Sequence, residues 1–221
     1  MNYLYPQLTL LVFTRSPIAG KCKTRLIPVL GEQGAADLQY NLLENIVMQL
    51  HSYKLCPFEI WQSEPSNCFI HLKSKFEFSI KTQKGNHLGQ RMANAIDETL
   101  KKTTYTILIG SDCAEFSQDY LKNAIQLLTA KTAEVVIGPA IDGGYLLVGM
   151  SNFNSVIFQN IKWGSGDVLE STLANACNAG LKVSILDPLN DIDNAQDLFD
   201  LSIKFPHLIP TLDNHKSFQK Q

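Results

Sequence analysis

Residues Leu8 to Phe13 are apolar apart from Thr9, and the chain turns cationic soon after that run ends. A run this short and nearly unbroken suits a strand buried on both faces, as in a parallel sheet. A half-exposed antiparallel strand would alternate instead. Arg15, Lys21, Lys23 and Arg25 follow around Pro17 and Gly20, so the segment reads as a loop. In open α/β sheets, ligands bind where the C-terminal ends of strands feed such loops. Cations there point to an anionic ligand, phosphate groups above all; the plainer alternative is a solvated basic turn.

Strand and helix patterns alternate through the rest of the chain. Gly31 to Ser52 carries one apolar stripe of Leu38, Leu42, Leu43, Ile46, Val47 and Leu50 at helical spacing. Strands are expected at Phe58–Trp61, Thr104–Gly110, Ala133–Pro139, Leu146–Gly149 and Lys182–Leu186, with a weak one at Glu77–Thr82. Short connections hold helices at Asn67–Lys75, Gln118–Ala130 and Asp167–Ala179, the last with Val168, Leu169, Leu173 and Cys177 facing inward. Gln83 to Leu100 begins as a turn and becomes a helix whose buried stripe is Leu88, Met92, Ile96 and Leu100. Gly85 and Gly89 permit positive φ or close backbone approach there, and Arg91 lies in the first turns. The N-terminus of that helix can bind an anion, or it can be an ordinary loop-to-helix junction. The pattern predicts an α/β fold, a mostly parallel central sheet with helices on both faces and an antiparallel insertion at the Gly143-Gly144 hairpin.

Carboxylates recur where strands end. Asp112 directly follows a strand, where a hard oxygen ligand can hold Mg2+ or Mn2+ against a diphosphate. It could instead cap the next helix, although Ser117 sits better for that. Asp142, beside Gly143-Gly144, could bind a substrate hydroxyl or act as a base; a plain hairpin is the alternative. Asp191 and Asp193 lie between the last strand and the last helix. Asp193 could cap that helix or be a second metal carboxylate facing Asp112. Trp163 reads as core rather than as a ligand platform.

With 221 residues, 45% of them hydrophobic, the chain suits one domain over residues 1–205, followed by a C-terminal arm and tail over residues 206–221. A formal net charge of -2 gives no pull toward nucleic acid or an anionic membrane. The five cysteines, widely spread and without a CxxC pair, read as reduced thiols in a cytoplasmic protein. The N-terminus lacks the features of a signal peptide, and no apolar run approaches the roughly 20 residues of a membrane span. Neither GxGxxG nor GxxxxGK[ST] is present, which disfavours dinucleotide-dependent dehydrogenases and P-loop NTPases.

Taken together, SPIAGKCKTRL, QKGNHLGQRM, IGSDC, GPAIDGGYLLVG and NDIDNAQDL resemble the bacterial DUF2064 family. That group is glycosyltransferase-like, is related to 2-phospho-L-lactate guanylyltransferase, and sits in the nucleotide-diphospho-sugar transferase superfamily with the GT-A fold. The resemblance implies a nucleotide held by Arg15, Lys21, Lys23 and Arg25 at its phosphates, with Gln83, Gly85, Leu88 and Gly89 at the base or ribose and Ser111 nearby. It implies a metal at Asp112 and Asp193, and Gly143, Gly144 and Tyr145 on the acceptor side. Two positions depart from the family pattern: Ala114 stands where a proline is usual, and Ile141 where an acidic residue precedes DGGY.

The expected activity is transfer of a sugar from a nucleotide-diphosphate sugar to a small-molecule acceptor, dependent on Mg2+ or Mn2+, with Asp142, Lys23 and Arg25 catalytic. The alternative is nucleotidyl transfer, in which a phosphorylated small molecule attacks an NTP and pyrophosphate leaves. A catalytically silent nucleotide-binding protein is a third reading.

Overall fold

The residues expected to be buried on both faces build the middle of the sheet. In chain order the elements are β1 (Leu8–Thr14), α1 (Ile27–Tyr53), β2 (Phe58–Gln62), α2 (Phe69–Lys75), β3 (Ser79–Thr82), α3 (Leu88–Leu100) and β4 (Tyr105–Gly110). There follow α4 (Gln118–Thr129), β5 (Val135–Pro139), β6 (Tyr145–Met150), α5 (Val168–Asn178), β7 (Val183–Ile185) and α6 (Ala195–Lys204). The computed structural model describes residues 2–210, so the tail expected at the C-terminus lies outside the described residues from position 211.

The seven strands run in the order β3-β2-β1-β4-β6-β5-β7. Pairing is parallel throughout except for β6, which is antiparallel to both β4 and β5. β1 is buried at all seven positions. Its side chains alternate between two cores, as the period of a strand requires. Leu8, Leu10 and Val12 pack with Ile46 and Val47 of α1, Leu72 of α2 and Ile125 of α4. Leu11 and Phe13 face the other way, against Met92 and Ile96 of α3 and Ala176 of α5. A third cluster joins Leu26, at the end of the basic loop, to Leu38 and Leu42 of α1, Leu201 of α6 and Leu208. Residues 206–208 therefore pack on the domain, and Asn41 donates a hydrogen bond to the Leu208 carbonyl.

Several boundaries differ from the sequence expectation. α1 begins at Ile27, with Pro28 in its first turn, where the missing N–H is no loss. It breaks at Gly31, which has φ 72° and ψ 170°. Leu88 is 47% exposed rather than part of the buried stripe, because the first turn of α3 overhangs the cavity beyond the strand ends. The inward stripe of α5 is Val168, Thr172 and Ala176, so Cys177, about 100° further round the helix, is exposed. α6 is capped by Asn194 in a capping box with Asp197, which leaves Asp193 just outside the helix. Ser117 caps α4, as expected.

Candidate functional site

The register between β1 and β4 brings the basic loop and Asp112 together. Phe13 lies opposite Gly110, so the residues that leave the two strands emerge side by side. The loop then turns through Lys23 in the left-handed region, at φ 46° and ψ 41°. That conformation costs a non-glycine residue roughly 1–2 kcal/mol, and it points the lysine inward. The Lys23 side chain is only 3% exposed, and its Nζ lies 3.2 Å from Asp112 Oδ2. Nζ also donates to the Ile192 carbonyl at 2.5 Å, which ties the loop to the segment after β7.

Beneath this pair sits Gln39 of α1, fully buried. Its amide nitrogen lies 2.8 Å from Ser111 Oγ, 3.1 Å from Asp112 Oδ1 and 3.3 Å from Thr14 Oγ1. Asp112 is thus held at one oxygen by an amide and at the other by an ammonium. Ser111 is 1% exposed, so it supports Asp112 from within.

The other loop cations do not gather at Asp112. Lys21 pairs at 3.0 Å with Glu64, which follows β2 on the far side of β1. Arg25, 73% exposed, pairs with Asp193. Arg15 is exposed at the end of β1. Gln83 clamps the ends of β1 and β2 by donating to the carbonyls of Thr14 and Trp61. Gly85, at φ 142°, accepts from Arg91 Nε through its carbonyl, which fixes the turn into α3.

A cavity of about 270 Å3 opens at Asp191, whose neighbour Ile192 donates its amide to the Asp112 carbonyl. Leu88, Met92 and Trp163 form its apolar side, and Asp142 and Asp191 its acidic side. Gly89 backs the Trp163 indole so closely that a Cβ would overlap the ring, and Tyr145 meets that ring edge-on. Gly143 has φ 91°, and a Cβ on it would strike the Gly166 carbonyl, so only glycine fits there. Asp142 accepts a hydrogen bond from the Gly144 amide at 2.9 Å. Burial, reinforced by Asp142 and Asp112, pushes the Asp191 carboxyl up to about 6 from its ordinary 3.8. Three carboxylates therefore share one neighbourhood with a single buried ammonium. A larger concave region of about 930 Å3 lies between α1, α2 and residues 207–210. Its walls carry none of these carboxylates, so the chemistry belongs to the smaller cavity.

Residues 43–165 match the family described as "Uncharacterized protein conserved in bacteria (DUF2064)". The chain belongs to the DUF2064 family. Among curated proteins, none matches it. A solved structure from Desulfovibrio desulfuricans G20, provisionally assigned as a nucleotide-diphospho-sugar transferase, is similar at a TM-score of 0.81 and 26% identity. The likeness covers 98% of this chain and 91% of that one. A nucleotidyl transferase from Methanothermobacter shares the fold at a TM-score of 0.61 and 10% identity, over 90% of this chain and 98% of that one. So does the inositol-1-phosphate CTP transferase from T. maritima, at 0.52 and 14% identity, over 93% and 98%. This DUF2064 chain thus has the nucleotide-diphospho-sugar transferase fold, with its antiparallel strand in the middle of an otherwise parallel sheet. Of its two departures from the family pattern, Ala114 is buried in the third core cluster, whereas Ile141 is 68% exposed beside Asp142.

Sequence reasoning missed two contributors to the site. Gln39 was hidden within the apolar stripe of α1, where a polar residue at a core position was the available signal. Trp163 reads from the sequence as core, and it does pack against the second core cluster, but it is only partly buried and also forms a cavity wall.

Proposed function

We propose that this DUF2064 protein is a nucleotide-utilising transferase, and more narrowly that it moves a sugar from a nucleotide-diphosphate sugar to a small acceptor in the cytoplasm. The observation that carries the reading is the meeting of Lys23 with Asp112 at the C-terminal ends of two central strands. There the Lys23 ammonium would neutralise charge on the leaving nucleoside diphosphate. Arg25, exposed and paired with Asp193, would exchange that partner for a diphosphate oxygen. Arg15 and Lys21 would flank the phosphates and Gln83 and Gly85 the nucleotide, while Leu88 and Gly89, at the cavity that Asp142 and Trp163 line, would stand where the nucleotide side meets the acceptor side. Gly143, Gly144 and Tyr145 would border the acceptor, and Asp142 would take the proton from its hydroxyl.

The residues present fit Mg2+ or Mn2+. Among the described residues no three His, Cys, Asp or Glu side chains form a cage of their own. Mg2+ commonly needs only one or two carboxylates, with substrate phosphates and water completing its shell. Asp112 offers a half-exposed carboxylate, Asp193 would be freed for a cation when Arg25 turns to the diphosphate, and the negative charge that Asp142, Asp191 and Asp112 share favours a cation nearby. Such an ion, when bound, supplies Lewis-acid stabilisation of the departing diphosphate.

Melting temperatures across a panel of nucleoside diphosphates, triphosphates and sugar nucleotides, with and without Mn2+, test this reading. The expected result is a rise with diphosphates and sugar nucleotides that is larger with Mn2+ and absent in Lys23→Met. Release of pyrophosphate from a triphosphate would replace glycosyl transfer with nucleotidyl transfer. No shift with any nucleotide would reject the transferase reading altogether.

A further inference from the structure

The wall of the 270 Å3 cavity is one-sided in charge. Asp142 and Asp191 face it, and no Lys, Arg or His is among the described residues that line it. The buried ammonium of Lys23 acts on Asp191 from outside the lining and is shared with Asp112 and the Ile192 carbonyl. An anion entering this space would meet two carboxylates and no cation on the lining, and like charges set against each other disfavour a wrong partner. The opposite wall is apolar and partly flat. Leu88 and Met92 line it, and the Trp163 indole is braced between Gly89 and Tyr145. A braced indole face suits the C–H face of a sugar ring, and it attracts cations. At about 270 Å3 the cavity has room for one ring with substituents.

We propose that the acceptor is an uncharged or cationic hydroxyl-bearing ring, and that phosphorylated acceptors are kept out by Asp142 and Asp191. This rests on the reading that the protein is a nucleotide-utilising transferase, and it names the acceptor class of that same site. The nucleophile is then a hydroxyl rather than a phosphate. Its oxygen forms the new bond to the anomeric carbon of the donor, and its proton passes to Asp142. The bond from that carbon to the diphosphate breaks, and the nucleoside diphosphate leaves with the electron pair. A hydroxyl needs such a base, which an already ionised phosphate does not.

The test is calorimetric binding of three matched probes to the full chain at low salt without nucleotide: methyl glucoside, glucosamine and glucose 6-phosphate. The expected result is that methyl glucoside and glucosamine bind, while glucose 6-phosphate is about tenfold weaker or worse. In the variant carrying Asp142→Asn and Asp191→Asn, the gap should close to about twofold. In Gly89→Ala, which displaces Trp163, all binding should weaken. Equal or tighter binding of glucose 6-phosphate overturns the proposal, as does a gap that survives the double substitution or binding of none of the probes. If nucleotides raise the melting temperature while the probes fail, this inference alone is rejected. If the probes sort by charge in a protein that binds no nucleotide, the transferase reading alone is rejected.

Discussion

Gln39 shows how one buried amide can organise a site. Its nitrogen serves Thr14, Ser111 and Asp112, while its Oε1 is buried with no hydrogen-bond partner among the described residues. Replacement by leucine keeps the volume and removes the donor, leaving buried oxygens unmatched. Gln39→Leu is expected to lose about 1–3 kcal/mol of stability by urea unfolding, and its nucleotide affinity should fall because Asp112 loses the group that orients it. Asp191 poses the opposite case. Its carboxyl titrates near 6 in the fold, above its ordinary 3.8, chiefly through burial and then through Asp142. Between those two values the folded chain holds the proton more tightly than the unfolded chain, so stability falls as pH rises through that window. Asp191→Asn, measured in chelator, should therefore be more stable than wild type at neutral pH. The gain, on the order of 1 kcal/mol after discounting for solvent screening, should fade as the pH falls through the window. A gain that grows on acidification would contradict the assignment.

At the scale of elements, the site depends on where strands stop and how tightly the following turns are drawn in. The β5–β6 hairpin carries Asp142 and closes against the first turn of α5, where the Gly143 carbonyl accepts from the Leu169 amide at 2.9 Å. Gly143→Ala would have to hold a positive φ and push Gly166 away, a strain of about 1–3 kcal/mol or more. Its expected signature is a lowered melting temperature and weakened binding of the acceptor-side probes, with nucleotide binding nearly unchanged, since the Lys23–Asp112 end lies on other strands. Loss of both kinds of binding together would mean that the two halves are not separable. α1 contributes in another way. Leu43, Ile46 and Val47 anchor it under the sheet, and the same helix delivers Gln39 to the strand ends. A core truncation such as Leu43→Ala is expected to cost about 2–5 kcal/mol.

Over the whole molecule, the alternation of strand and helix and the nearly unbroken apolar run at Leu8–Phe13 carried most of the fold, because burial on both faces leaves a plain mark in a sequence. The order of strands was not legible. It arises from contacts between segments far apart in the chain: the Gly143-Gly144 hairpin signals that β6 pairs antiparallel with β5, but nothing local places β6 against β4. Asp112 could be picked out because it directly follows a central strand. The pairing of Arg25 with Asp193, of Lys21 with Glu64 and of Gln39 with Asp112 could not, since each joins residues brought together only by packing. The account as a whole rests on a donor diphosphate and a divalent ion meeting at the Lys23–Asp112 end of the sheet. Calorimetric titration of nucleoside diphosphates into wild type and Asp112→Ala, each with and without Mn2+, tests this most directly. The account predicts that Mn2+ strengthens binding in wild type and has no effect in the variant; an equal Mn2+ enhancement in both would contradict it.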